Sequence, residues 1–295
     1  MKRKLCLVDG TFELFRAFFG APSRTGPSGQ ELGAAVGLGR SLRMLARSGE
    51  FTHFAVAFDT VIESFRNELF SGYKTGEGIE PSLLAQFPVA EELTAALGFT
   101  VLSMREFEAD DGLATLASRF ADHDDLDQIV IASPDKDLMQ CVRGDHIITW
   151  DRLRNVRYDE AAVRAKMGVS PESVPDYLAL VGDTADGIPG VPRWGARGAS
   201  AVLAHYVHLE HIPRAAEAWV PKVRGAEALV RELRAREAEV LLYRTLATLR
   251  LDVPLPHRVA DLAYQGVSPV LSDLLNRLGQ PRLLEVLGET PASEP

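Results

Sequence analysis

Cysteine is almost missing from this chain of 295 residues, which has only Cys6 and Cys141. Two are too few for a disulfide framework, and they lack zinc-ligand spacing, so a reducing compartment is expected. Also missing is any apolar stretch of membrane-spanning length, and Met1-Lys2-Arg3-Lys4 runs straight into a strand-like segment. A signal peptide would need a cleavage region there, so a soluble, cytoplasmic protein with no membrane partner is expected. Positive charge is short as well: 32 Lys and Arg stand against 41 Asp and Glu, for a net charge of -9. That balance ordinarily argues against nucleic acid, whose phosphates are met by Lys and Arg. It decides nothing if some of the carboxylates surround a metal that cancels them. Low-complexity linkers and internal repeats are absent, and a hydrophobic content of 46% is enough for a proper core.

What is present is a pattern. Three apolar runs end on an aspartate: Leu5-Cys6-Leu7-Val8-Asp9, Phe54-Ala55-Val56-Ala57-Phe58-Asp59, and Ile129-Val130-Ile131-Ala132-Ser133-Pro134-Asp135. Such runs read as strands buried on both faces of a parallel sheet. Functional crevices in these sheets lie outside the carboxyl ends of the strands, where the three carboxylates would converge. They would repel one another unless a cation sat among them, and Mg²⁺, bound by carboxylates, water and phosphate, fits that need.

Strands and helices alternate through the first half. Helices are expected over Gly33–Ala46 and Leu83–Leu97, a strand over Thr100–Ser103, a helix from Glu108 to about Phe120, and a strand over His146–Trp150. The fold class is therefore α/β, a doubly wound and mainly parallel sheet. From Pro171 the pattern turns helical, with long amphipathic helices over Ala215–Leu249 and a frayed Pro291–Pro295. This divides the chain into residues 1–170, an α/β domain, and 171–290, a helical region packed on it. His205, His208 and His211, at i, i+3, i+6, drift around a helix and read as partly solvated surface.

Further carboxylates come in clusters: Glu108-Ala109-Asp110-Asp111 at a helix start, Asp135-Lys136-Asp137 after a buried strand, and Asp183 and Asp186 in Gly182–Gly190. Each has a bland explanation, as helix capping or turn formation. Nine carboxylates in five clusters, three of them at strand ends, are hard to explain as separate accidents.

These pieces carry a specific resemblance. Val8-Asp9-Gly10 with Phe15-Arg16-Ala17, Phe58-Asp59, Phe65-Arg66-Asn67-Glu68-Leu69-Phe70 with Tyr73-Lys74, Glu108-Ala109-Asp110-Asp111, Asp135-Lys136-Asp137-Leu138-Met139-Gln140, the Gly182–Gly190 segment, and Leu246–Arg250 before Asp252-Val253-Pro254-Leu255 stand in order. In this the chain resembles the 5′-nuclease family: the 5′-to-3′ exonuclease domain of bacterial DNA polymerase I, phage 5′ nucleases and flap endonucleases. The resemblance implies metal-dependent hydrolysis of DNA phosphodiesters near 5′ ends, flaps or nicks, with two Mg²⁺ or Mn²⁺ ions. By position, Asp9, Asp59, Glu108 and Asp110 would surround one ion, and Asp111, Asp135, Asp137, Asp183 and Asp186 would surround or approach the second.

Lys74 matches the family's arch lysine near the scissile phosphate, within a helical arch expected near residues 66–90, and Arg66 would orient or neutralise the acidic ligands. Gly187–Ala199 resembles the family's helix-two-turns-helix element, which presents backbone N–H groups to DNA phosphates and often binds K⁺. There Gly187, Ile188, Gly190, Gly195 and Gly198 would shape the DNA contact, with Arg193 and Arg197 adding charge. A monomer in a bacterial cytoplasm, associated with the nucleoid, is implied, with a separate DNA polymerase as candidate partner. Three departures stand out: Glu77 where the family has a basic residue, Arg193-Trp194 where it has Gly and a small apolar residue, and Pro134 in place of glycine. Glu77 keeps open a catalytically weak DNA-binding or repair scaffold, and the acidic sheet alone would also suit a metal-dependent ribonuclease.

Overall fold

The computed structural model describes residues 3–288; the expected frayed end at Pro291–Pro295 lies outside them. The chain forms two compact units, and neither is continuous in sequence. One takes in the residues up to Ile62, Gly76–Ser133 and the chain from Leu251 onward; the other comprises Glu63–Thr75 and Pro134–Arg250. The units thus divide the chain differently from a single boundary at residue 170.

The first is a sheet unit. Strands β1 (Lys4–Asp9), β2 (His53–Asp59), β3 (Thr100–Met104) and β4 (Gln128–Ala132) lie in the order β3-β2-β1-β4, all parallel. Leu7 stands opposite Ala55 on one side and Ile131 on the other. Leu5, Cys6, Leu7 and Val8 are fully buried, which explains why β1 has no polar face. The succession runs outward from β1 to β3 and then returns to the opposite side for β4. The order reverses between β1 and β4, where an open α/β sheet leaves its crevice.

The helix Gly10–Gly20 follows β1 with no loop and has no counterpart in the sequence expectations. Its four phenylalanines mask any clean apolar period. The available signal was Asp9 itself, the N-cap, whose Oδ1 accepts from the Phe12 N–H at 2.8 Å. The helices Gly33–Arg47, Phe87–Ala96 and Ala109–Arg119 match expectation within a few residues. The segment 66–90 is less helical than expected, with helix only at Phe65–Leu69, Pro81–Leu84 and from Phe87. Gly72, Gly76, Gly78 and Pro81 lie between the first and second of these stretches or open the second, and none favours helix propagation.

In the second, helical unit, β5 (Ile147–Asp151) and β6 (Val156–Tyr158) form an antiparallel hairpin. The helices Glu160–Met167, Val174–Val181, Ala196–Tyr206, Ala226–Ala235 and Glu237–Ala247 follow. They share a core of Val174, Leu178, Val202, Leu203, Val240 and Leu246, with Trp194 and Trp219 rings 5.9 Å apart. Two expectations need correction here. Ala215–Leu249 is not continuous helix, because Pro221 and Gly225 delay helix until Ala226 and Arg236 (φ -125) breaks it again. Nor do the three histidines share a helix. The chain turns at Val207 (φ 66), His205 and His211 are exposed, and half-buried His208 sets Nδ1 2.8 Å from an oxygen of buried Asp176.

The chain from Leu251 onward is tied back into the sheet unit through Tyr264. Its ring lies 5.5 Å from that of Phe54, its hydroxyl donates to the Leu97 carbonyl at 3.1 Å, and Arg43 donates to the same hydroxyl at 2.8 Å. The close approach depends on Gly98 (φ +87), where an added Cβ would stand 2.0 Å from the Gly266 carbonyl oxygen. Gly98→Ala combines left-handed strain with a backbone clash and is expected to cost about 3 kcal/mol in urea unfolding. A loss below about 0.5 kcal/mol would show that this segment is not held as described.

Candidate metal centre

At the carboxyl end of the sheet unit, Asp9 closes β1 and Asp59 closes β2. The second oxygen of Asp9 accepts from the buried Ser133 hydroxyl at 2.8 Å, across the switch point between β1 and the end of β4. Asp59 accepts from the Ala109 N–H at 2.7 Å, at the start of the helix Ala109–Arg119, and its own N–H donates to Thr11 Oγ1 at 2.8 Å. Glu108 is the N-cap of that helix and is nearly buried, and Asp110 is half-buried in its first turn. Asp111, expected to accompany the second ion, is fully buried in this unit and accepts from the Glu108 N–H at 3.0 Å in a capping box. The strand ends thus carry Asp9 and Asp59, and one helix start carries Glu108 and Asp110, with Asp111 fixing the backbone of Glu108.

The helical unit brings together the other set. Asp137, Asp183 and Asp186 each place a ligand atom within 4.8 Å of the others. Asp183 and Ile188 exchange backbone hydrogen bonds of 2.8 Å in both directions, closing a short loop that aims both aspartates inward. Asp137 opens the 3₁₀ turn Asp137–Cys141, and its N–H donates to Asp135 Oδ1 at 2.8 Å. Lys136 bonds Asp183 and lies 4.0 Å from Asp137 Oδ1, while Lys74 lies 2.9 Å from Asp186 Oδ1.

The charges are not balanced by these lysines. Asp137 Oδ1 is buried with no hydrogen-bond donor. Burial, followed by the charges of Asp135, Asp186 and Asp183, pushes its carboxyl well above the usual range, against the pull of Lys136. For Lys136, burial would lower the pKa, but its bond to Asp183 and the charges of Asp137, Asp183 and Asp135 raise it. A buried, orphaned oxygen among oxygen-only donors fits a hard divalent cation and not a thiolate or imidazole metal site.

Lys74 is positioned by backbone as well as by charge. Its N–H donates to the Asp186 carbonyl at 3.1 Å and its carbonyl accepts from Asn67 Nδ2 at 2.9 Å. The approach requires Gly187 (φ +75), because a Cβ there would meet the Gly72 carbonyl oxygen at 2.1 Å. Arg66 is buried, donating from Nε to the Leu246 carbonyl at 2.8 Å and from Nη2 to the Thr248 carbonyl at 3.1 Å. These bonds serve the C-terminal end of the helix Glu237–Ala247, a tethering duty that its sequence context does not signal.

Beyond this loop, Gly190 has φ +72 and meets Gly182 so closely that a Cβ would lie 2.5 Å from the Gly182 nitrogen. Ile188 is buried, Gly195 is the exposed N-cap of the helix Ala196–Tyr206, Arg197 is exposed in its first turn, and Gly198 is half-buried. The departure at Arg193-Trp194 divides its labour. Arg193 is exposed in the left-handed region (φ 71), and buried Trp194 donates from its indole to the Leu229 carbonyl at 3.1 Å.

Residues 4–168 match the profile of the 5′-3′ exonuclease N-terminal resolvase-like domain, and residues 169–269 that of the 5′-3′ exonuclease C-terminal SAM fold. The chain belongs to the 5′-3′ exonuclease family. It is 35% identical to DNA polymerase I of Bacillus caldotenax across 100% of this chain and 33% of that protein, so it spans about a third of that relative's length. The 5′-3′ exonuclease of Aquifex aeolicus is 29% identical over 97% of this chain and 95% of its own. Among solved structures, the T5 5′-exonuclease with zinc bound shares the fold with a TM-score of 0.67 at 20% identity, covering 97% of both chains.

Two outcomes follow from this geometry. A carboxyl whose pKa is raised by folding gives stability that is present below its unfolded value and is lost as pH rises through the folded one. Without metal, Asp137→Asn is therefore expected to melt higher than wild type, with the gap widening as pH climbs above about 4; a gap that stays flat with pH would contradict the crowding. Gly187→Ala is expected to push the Gly72 loop off Asp186 and destabilise by about 3 kcal/mol or more, as read by thermal melting.

Proposed function

We propose that this chain is a metal-dependent, structure-sensitive 5′ nuclease that hydrolyses DNA phosphodiesters near 5′ ends, nicks or flaps. The observation that carries the reading is the Asp137–Asp183–Asp186 group with its buried, donorless oxygen. Two ions, Mg²⁺ or Mn²⁺, suit the oxygen-only donors. One would be held by Asp9, Asp59, Glu108 and Asp110, and the other by Asp135, Asp137, Asp183 and Asp186. When bound they would supply a hydroxide from coordinated water and neutralise charge on the phosphate and leaving oxygen.

The chain's own residues do the rest. Ser133 orients Asp9 through the hydroxyl bond, and Asp111 orients Glu108. Lys74, half-exposed beside Asp186, would meet a phosphate, and Arg66 holds the short helix that precedes the Lys74 loop. Gly187, Ile188, Gly190, Gly195 and Gly198 form the turn that offers backbone N–H groups to a DNA strand, with Arg193 and Arg197 as phosphate contacts and K⁺ as a further ligand.

The protein would act as a monomer in the cytoplasm, near the nucleoid. Among the described residues no helix is long and apolar enough to cross a membrane. A DNA polymerase activity is the natural partner, since removal of 5′ nucleotides leaves a gap that must be filled.

The test is cleavage of 5′-labelled flap, nicked, blunt and single-stranded DNA with Mg²⁺ or EDTA. Cleavage is expected only with Mg²⁺, and Asp183→Ala and Lys74→Ala are each expected to lose on the order of 10² to 10³ in turnover. Glu77→Arg should raise activity at low salt by replacing repulsion with a phosphate contact. Full turnover in EDTA, or in Asp183→Ala, would overturn the metal assignment, and binding without cleavage would make the protein a scaffold.

A further inference from the structure

The helix Glu237–Ala247 ends against two side chains that reach it from different parts of the helical unit. The last carbonyls of a helix have no partners within it and need donors from elsewhere. Arg66 serves Leu246 and Thr248, as described above. Gln140 serves Ala247 and Leu249: its Nε2 donates to the Ala247 carbonyl at 3.0 Å, and its Oε1 accepts from the Leu249 N–H at 3.0 Å.

The same Nε2 also donates to the Asp137 carbonyl at 2.8 Å. Two carbonyls need a donor here and one N–H needs an acceptor, a combination that a side-chain amide meets. A carboxylate at this position would set oxygen against both carbonyls, and an apolar side chain would withdraw from all three groups.

Asp137 is the residue of the carboxylate group whose buried oxygen has no donor. The charges of Asp135, Asp186 and Asp183 press it outward. The bonds inside its turn are local, from the Asp137 N–H to Asp135 and from the Met139 N–H to the Lys136 carbonyl. Gln140 instead ties the turn to a buried helix end 107 positions away.

From that helix end the path continues. Arg66 lies in the short helix Phe65–Leu69 beside Asn67, whose Nδ2 donates to the Lys74 carbonyl at 2.9 Å. The Lys74 N–H donates in turn to the Asp186 carbonyl at 3.1 Å. The path therefore leaves the carboxylate group at Asp137 and returns to it at Asp186, and it stays inside the helical unit.

We infer that Gln140 is a positioning residue for the ion of Asp137, Asp183 and Asp186, fixing the Asp137 turn to the helix end from which Arg66 and Asn67 also fix Lys74. The inference deepens the nuclease reading and rests on it for the use made of the ion. Gln140 acts through main chain, so its loss reaches the ion by loosening Asp137. A residue that only capped the helix would lower stability by the same amount with or without metal.

The test follows thermal melting of the DNA-free protein against Mg²⁺ concentration, with cleavage of a 5′-labelled flap measured alongside. Gln140→Met, which keeps the side chain's length without its amide, is expected to raise the Mg²⁺ concentration for the half-maximal melting shift roughly tenfold. Asn67→Ala opens the path at its other end and is expected to have an effect of similar size. The double variant should stay near about tenfold and fall well short of about a hundredfold, because a path already open has little left to lose. An equal loss of melting temperature at every Mg²⁺ concentration would make Gln140 a helix cap and overturn the inference, as would effects of the two variants that multiply. Should Gln140→Met fail to fold, Asn67→Ala decides alone, and an unshifted Mg²⁺ dependence overturns the inference. A shifted Mg²⁺ dependence in a protein that cuts no DNA would uphold the positioning and remove the nuclease reading. Cleavage in Gln140→Met at the wild-type Mg²⁺ dependence would do the reverse.

Discussion

Crowded negative charge governs this structure. Asp137, Asp183 and Asp186 lie within 4.8 Å of one another, and two lysines do not give every buried oxygen a partner. Such a group cannot be held by side-chain preference, since each carboxylate would move apart if free to do so. It is held by main chain: the reciprocal bonds of Asp183 with Ile188, the 3₁₀ turn at Asp137, and Lys74 hung on the Asp186 carbonyl. The glycines at 182, 187 and 190 follow from that demand, because closing so tight a loop brings backbone against backbone where no Cβ fits. The helical unit therefore spends folding energy, supplied by its apolar core, to keep an electrostatically unfavourable arrangement ready for a cation.

The sheet unit solves the same problem differently. Its carboxylates sit at strand ends and a helix start, where amides are already available. Phe12 N–H and Ser133 Oγ serve Asp9, and Ala109 N–H serves Asp59. Acidic side chains at these positions cost little in the absence of metal, since each oxygen so engaged exchanges water for a fixed donor.

Much of this was legible in the sequence because it rests on strong local patterns. Unbroken apolar runs ending on aspartate specified buried parallel strands, and β1, β2 and β4 appear where those runs lie. The helix Gly10–Gly20 was not legible, since none of its four phenylalanines is fully buried, Phe19 is largely exposed, and they trace no apolar face. The tethering role of Arg66 depends on carbonyls 180 and 182 positions away, beyond any local reading. Trp194 looked like an irregular substitution in a DNA-binding turn, whereas its indole closes the helical core by bonding Leu229. The helices expected over Ala215–Leu249 form only as Ala226–Ala235 and Glu237–Ala247, because composition alone, rich in Ala, Glu, Arg and Leu, does not register the breakers Pro221 and Gly225.

The interleaving of the chain has a consequence for synthesis. As the polypeptide leaves the ribosome at about 5 to 20 residues per second, Glu63–Thr75 emerges well before the partners it packs with in its own unit. The four strands of the sheet unit are all complete by Ala132, yet that unit must wait for Tyr264 before the Phe54 and Arg43 contacts close. For more than a hundred residues of elongation, the nascent chain carries an acidic sheet without its final apolar cover. Nascent copies in that interval are the ones that a chaperone would engage, and a stalled ribosome would expose this face most.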